Sequence, residues 1–117
     1  MAKISLDTLK NLDGYVASAL VDSDSGMMLA GDGTMNLEVA AAGNTEVVRA
    51  KRKVANALKL NDTVEDILIS LTKQYHVIRP LETNQQLFLY VVLDRGKANL
   101  AMARHDIRTF EKTVDFS

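Results

Sequence analysis

The chain has 117 residues and a mass of 12.9 kDa, 47% of them hydrophobic, which is the size of one domain with a core of its own. Fourteen Lys and Arg against fifteen Asp and Glu give a formal net charge of -1, which excludes bulk electrostatic attraction to nucleic acid or to an anionic membrane. Cysteine is absent, so a disulfide framework, a thiol nucleophile and a thiolate metal site are excluded as well.

The opening Met1-Ala2-Lys3-Ile4-Ser5 lacks the apolar stretch of a secretory signal, and the longest strongly apolar run, Leu87 to Leu93, is too short to span a bilayer. A cytoplasmic protein without membrane insertion is expected. One proline, Pro80, and six glycines punctuate the chain without forming a linker, which predicts a single domain over 1–117 with no repeats. Ser5 to Leu12, with Leu6, Leu9 and Leu12 at three-residue steps, predicts a short helix ended by Asp13-Gly14. Tyr15 to Val21 and Met27 to Ala30, joined by the turn formers Asp22-Ser23-Asp24-Ser25-Gly26, predict a β-hairpin.

From Asn36, a good N-cap followed by Glu38 in the first turn, the longest helix is predicted to run to Lys59. At 100° per residue, Leu37, Ala40, Ala41, Val47, Val48, Val54, Ala55 and Leu58 share one broad apolar arc, and Glu38, Arg49, Arg52, Lys53 and Asn56 lie opposite. Asn44 and Lys51 sit inside the arc. A helix that touches both a sheet and a second helix accommodates such residues along the seam, which points to self-association. The period then changes. Val64 to Thr72 and His76 to Leu81 are strand-like, and Leu87 to Asp94 is apolar on both faces, as a doubly covered central strand requires. Lys73-Gln74-Tyr75 and Glu82 to Gln86 are short polar connections that favour antiparallel neighbours. Asn99 caps a last helix reaching about Val114, with Leu100, Ala103, Ile107, Phe110 and Val114 as its apolar stripe. The order helix-strand-strand-helix-strand-strand-strand-helix predicts an α/β (α+β) fold, a three-layer α/β/α sandwich around a five-stranded antiparallel sheet.

Chemical motifs are sparse. His76 and His105 have no third or fourth ligand at metal spacing, so no metal is expected. Asp22 to Gly26 starts like a calcium loop, but Gly33 stands where an EF-hand needs its Glu, and a plain turn explains the segment. There is no Gly-x-Ser-x-Gly elbow, phosphate loop or dinucleotide fingerprint, and Tyr75, His76, Arg79 and Asp94 are the best that a dispersed catalytic site can be assembled from. No catalytic residue and no cofactor are expected, and the protein is not expected to be an enzyme. Arg49-Ala50-Lys51-Arg52-Lys53 is the one basic cluster; a solvated helix face explains it best, an acidic partner next, and a nucleic-acid backbone least.

The order of elements together with three local signatures resembles the roadblock/dynein-light-chain domain, in particular its small stand-alone bacterial members. The carriers are Leu12-Asp13-Gly14-Tyr15-Val16-Ala17-Ser18-Ala19-Leu20-Val21-Asp22 leading into Ser25-Gly26, then Leu87 to Asp94, and Ala98-Asn99-Leu100-Ala101-Met102-Ala103-Arg104. The resemblance covers nearly the whole chain. It implies a profilin-like sandwich that forms homodimers or heterodimers, pairing the third strand of each subunit edge to edge and packing the long helices together. On this chain the implied interface comprises Asn44, Val47, Val48, Lys51 and Val54 on the helix and Ile67, Leu68, Ile69, Ser70 and Leu71 on the strand. It further implies a non-catalytic regulator of a Ras-like small GTPase; the exposed side of the long helix, with Glu46, Arg49, Arg52 and Lys53, is the expected partner-binding surface because it combines charge with a rigid element. The alternative it leaves open is a structural adaptor, like a dynein light chain, that does not sense nucleotide.

Overall fold

The computed structural model describes residues 4–113. Five strands form one sheet: β1 (Tyr15–Asp22), β2 (Met28–Gly33), β3 (Ile67–Ser70), β4 (Gln74–Pro80) and β5 (Leu87–Asp94). Two helices, α1 (Leu37–Ala57) and α2 (Leu100–Glu111), and a 3-10 helix at Asp7–Asn11 complete it. The strand order is β2-β1-β5-β4-β3 with every pair antiparallel, so β5 is central and β2 and β3 are the edges.

Alternation along β5 explains the three layers. Leu87, Leu89, Val91 and Leu93 face one side, where Leu6, Leu9 and Leu12 around the 3-10 helix and Ala103, Ile107 and Phe110 of α2 cover them. Phe88, Tyr90 and Val92 face the other side, toward Leu37, Ala41 and Val48 of α1. All seven are buried, and each large apolar side chain contributes about 1.5–3 kcal/mol by leaving water. The helices start where the sequence supplies caps: Asn36 Oδ1 accepts from Val39 N–H at 3.2 Å and Asn99 Oδ1 from Met102 N–H at 3.2 Å. The β1–β2 turn closes on Asp22, whose carboxylate accepts from Asp24 N–H at 2.9 Å and the Ser25 hydroxyl at 3.1 Å, while Gly26 takes the positive φ of 77°.

Several sequence expectations need correction. The short helix expected over Ser5 to Leu12 is a 3-10 helix confined to Asp7–Asn11, and a three-residue leucine spacing is its natural period. β3 is four residues long, not nine, because Asp66 is held by Arg104 of α2 through contacts of 2.8 and 2.9 Å and Leu71 N–H already donates to Gln74 C=O at 2.8 Å to turn the chain. Gln74 and Tyr75 belong to β4 and not to the connection before it. On α1 the broad apolar arc divides. Leu37, Ala41, Thr45 and Val48 lie on the sheet, whereas Val54 and Leu58 are 48% and 62% exposed. Thr45 enters this buried stripe by returning its hydroxyl to Ala41 C=O at 2.7 Å. The described part of α2 ends at Glu111, and Val114 lies outside the described residues. Among the described residues no helix is long and apolar enough to cross a membrane.

Candidate interaction surface

α1 lies over the β1–β2 half of the sheet and leaves the β3 edge uncovered on that side. Ile67 and Ile69 of β3 point toward the α1 layer and are half-buried, while Leu68 and Ser70 point to the other face. On α1, the flank beside this edge carries Asn44 and Val47, both half-buried, followed by exposed Lys51 and Val54. With exposed Leu71, these residues form a continuous surface that mixes an open strand edge with apolar side chains. Of the ten residues that the resemblance places in an interface, Val48 has its side chain closed inside the protomer at 0% exposure, facing the sheet, and Leu68 and Ser70 face away from the α1 side.

The four residues of the expected partner surface separate into two pairs. Glu46 and Lys53 are exposed on α1. Arg49 and Arg52, in contrast, reach across to two loops. Arg49 Nε donates to Ser23 C=O at 3.0 Å and its second nitrogen to Asp24 C=O; Arg52 donates to the Ser23 hydroxyl at 3.3 Å and to Gln85 C=O. Ser23 is buried and couples the loops to each other, its N–H and hydroxyl both donating to Gln86 C=O at 2.7 and 2.6 Å. Asp22 accepts from the Gln86 side chain at 3.0 Å, and the hydrogen bonds to its carboxylate, that from Asp24 N–H foremost, hold its carboxyl below the usual range. The surface around α1 therefore includes the β1–β2 turn and the β4–β5 loop. Sequence reasoning missed Ser23, Asp24 and Gln85, since contacts made by backbone carbonyls 25 to 33 residues from their arginines leave no side-chain pattern.

A polar knot lies under the same flank. The Tyr90 hydroxyl and His76 Nδ1 are 3.0 Å apart, His76 Nε2 lies 2.9 Å from Gln74 Oε1, and the rings meet edge to face at 5.4 Å. Burial lowers the His76 pKa and raises that of Tyr90, with Asn44 of α1 opposing the latter through its side chain. This gives Asn44 a reason to sit in an apolar arc: it faces a buried hydroxyl.

The dispersed candidates for a catalytic site do not converge. Tyr75 lies under the Arg95 guanidinium at 5.1 Å, His76 belongs to the knot just described, and Arg79 is buried against Glu111 of α2 at 2.6 Å on the opposite face. Asp94 stabilises the β5–α2 turn by accepting from Gly96 N–H at 2.9 Å. Tyr15, pushed up to about 12 first by burial, joins Ser18 and Asp32 at 2.8 and 2.7 Å, and Lys10 reaches the same Asp32 at 3.3 Å. That cluster ties the 3-10 helix to the β1–β2 pair. Among the described residues no group of three His, Asp or Glu is arranged to hold a metal ion.

Comparison with solved structures gives this fold its class. The chain superposes on a Roadblock/LC7 domain from Streptomyces avermitilis with a TM-score of 0.80 at 14% identity, covering 92% of this chain and 88% of that one. It superposes on MglB from Myxococcus xanthus with a TM-score of 0.78 at 14% identity, covering 96% and 90%. The gliding protein MglB from Thermus thermophilus gives 0.68 at 16% identity, covering 92% and 85%. No family model matches the sequence, and no curated protein does. The chain has the Roadblock/LC7 fold, recognisable in three dimensions where identity is too low to show it.

Proposed function

We propose that this protein is a dimeric, non-catalytic regulator of a Ras-like small GTPase. The observation that carries the reading is the uncovered β3 edge beside the partly apolar flank of α1, on a fold shared over nearly its whole length with the Roadblock/LC7 domain. Two copies joined along β3 bring their α1 helices side by side on one face of a continuous ten-stranded sheet, which covers Val47, Val54, Ile67 and Ile69 and removes the exposed edge. The GTPase is the partner that the sequence resemblance implies, and the likeness to MglB supports it at the level of fold.

In this reading Glu46 and Lys53 contact the partner directly, while Arg49 and Arg52 position the β1–β2 turn and the β4–β5 loop as part of the same surface. The dimer acts by ordering the switch segments of the bound GTPase and so favours one nucleotide state, because a ligand shifts an equilibrium only by its differential affinity for the two states. The test is a pull-down from lysate of the source organism with GDP or a non-hydrolysable GTP analogue, read by mass spectrometry. One small GTPase enriched in a single nucleotide lane is expected, and enrichment should fall when Glu46→Lys and Lys53→Glu are combined. The same partners in both lanes, none of them a nucleotide-binding protein, would replace this reading with the adaptor.

A further inference from the structure

Between α1 and the start of β3 lies an open cavity of about 360 Å³, whose lining includes Leu60, Val64 and Ile67 together with Lys51, Asp62 and Glu65. Leu60 is 54% exposed there, an apolar side chain left in water. The neighbouring Asp66 is engaged by Arg104, but Glu65 stands 3.6 Å from Arg108 with both side chains more than half exposed, and Asp62 makes only a local contact to Thr63 N–H at 2.8 Å. The cavity thus combines an apolar lining with a charged rim: among the described residues Asp62 forms no ion pair, Glu65 has only its solvent-exposed pair with Arg108, and Lys51 is the cation of the lining.

The complementary group lies beyond the other end of the same strand. The turn from β3 into β4 carries Leu71, 43% exposed, and exposed Lys73. Strand alternation continues the series Ile67, Ile69, Leu71 on the α1 face of the sheet, the face on which the cavity opens. When a strand pairs antiparallel with a copy of itself about a two-fold axis that passes through its middle, the start of one lies beside the end of the other. Because that axis is normal to the sheet, each face is also kept.

We propose that this cavity is the seat for the Leu71–Lys73 turn of a second copy, with Leu71 against the apolar lining and the Lys73 ammonium against Asp62 and Glu65. The inference rests on the dimer reading and adds to it a residue-specific lock that each subunit both supplies and receives. It gives Asp62 and Glu65 a role beyond their local contacts in the single chain, and it favours a self-complementary partner over an unrelated strand edge.

The experiment is a charge exchange read by analytical ultracentrifugation of the full chain. Lys73→Glu makes both turn and rim acidic, and the double change Asp62→Lys with Glu65→Lys makes both basic. Since every dimer contains the contact twice, each variant alone should raise the dimer dissociation constant about tenfold or more. An equimolar mixture of the two restores opposite charges at both contacts, so a heterodimer of near wild-type affinity is expected. Leu71→Asp should weaken the dimer in every combination, and unchanged circular dichroism confirms that each variant is folded. A mixture that stays monomeric, or single variants that dimerise like wild type, would overturn the seat while leaving the β3 dimer in place. A wild-type chain that is monomeric at high micromolar concentration would overturn both.

Discussion

Replacing Glu111 by Ala is expected to destabilise the protein by about 3 kcal/mol, because it strands a guanidinium in the interior. Glu111 and Arg79 have side chains only 6% and 4% exposed, and Arg79 Nε donates to Glu111 Oε1 at 2.6 Å. The other oxygen, Oε2, accepts from Glu82 N–H at 2.7 Å, so one carboxylate pins the end of α2 to both β4 and the β4–β5 loop. Removing one partner of such a buried pair typically costs about 3–5 kcal/mol. The low end applies here since Glu82, itself 60% exposed, remains 3.4 Å from the guanidinium and offers partial compensation. For a chain of 117 residues this corresponds to a fall in Tm of about 10–15 °C. Chemical denaturation with circular dichroism measures it, and the double change Arg79→Met with Glu111→Leu should recover most of the loss by replacing the pair with apolar volume. A single Glu111→Ala variant within about 1 kcal/mol of wild type would show that the pair is solvated and that the reasoning fails.

Two glycines predict opposite outcomes. Gly33 has φ of 115° and a Cβ added there would fall 2.5 Å from Ala17 Cβ, so Gly33→Ala should cost about 2–4 kcal/mol by denaturant titration. Gly43 lies in the middle of α1 with nothing within 4 Å of an added Cβ, so Gly43→Ala should stabilise by about 0.5–1 kcal/mol in the same assay. His76 carries a pH dependence. Burial holds its folded pKa below the ordinary 6.5, so the unfolded chain takes up the proton first, and this contribution to stability is full above pH 6.5 and lost as pH falls toward the folded value. An NMR titration of the His76 ring should show a midpoint below 6.5, and His76→Gln should flatten the acid limb of the Tm profile. A midpoint at or above 6.5 would contradict the desolvated placement beside Tyr90.

Much of the fold was legible because its strongest signals are local. The unbroken apolar run Leu87 to Leu93 could be satisfied only by a strand covered on both faces, and β5 is that strand. Asn36 and Asn99 marked both helix starts through caps that need only three residues of context. The edge position of β3 followed from chain order, but its length did not. Val64 to Asp66 have the composition of a strand, yet a bidentate contact from Arg104, 38 residues away, directs them elsewhere. Arg49 and Arg52 read as a solvated charge run, although both are hydrogen-bonded to loop carbonyls that a sequence pattern does not display. Asn44 was legible as an anomaly in an apolar arc, and the Tyr90 hydroxyl beneath it supplies the reason. The cavity before β3 was invisible in the sequence, since it arises only where the chain leaves α1 and crosses to the strand.

The most direct test of the central claim is the affinity of the purified protein for each small GTPase of the source organism, measured by isothermal titration calorimetry with the GTPase loaded first with GDP and then with a non-hydrolysable GTP analogue. One of them is expected to bind at least about tenfold more tightly in one nucleotide state, a coupling of about 1.4 kcal/mol. Equal affinity in both states, or binding to none, would contradict it.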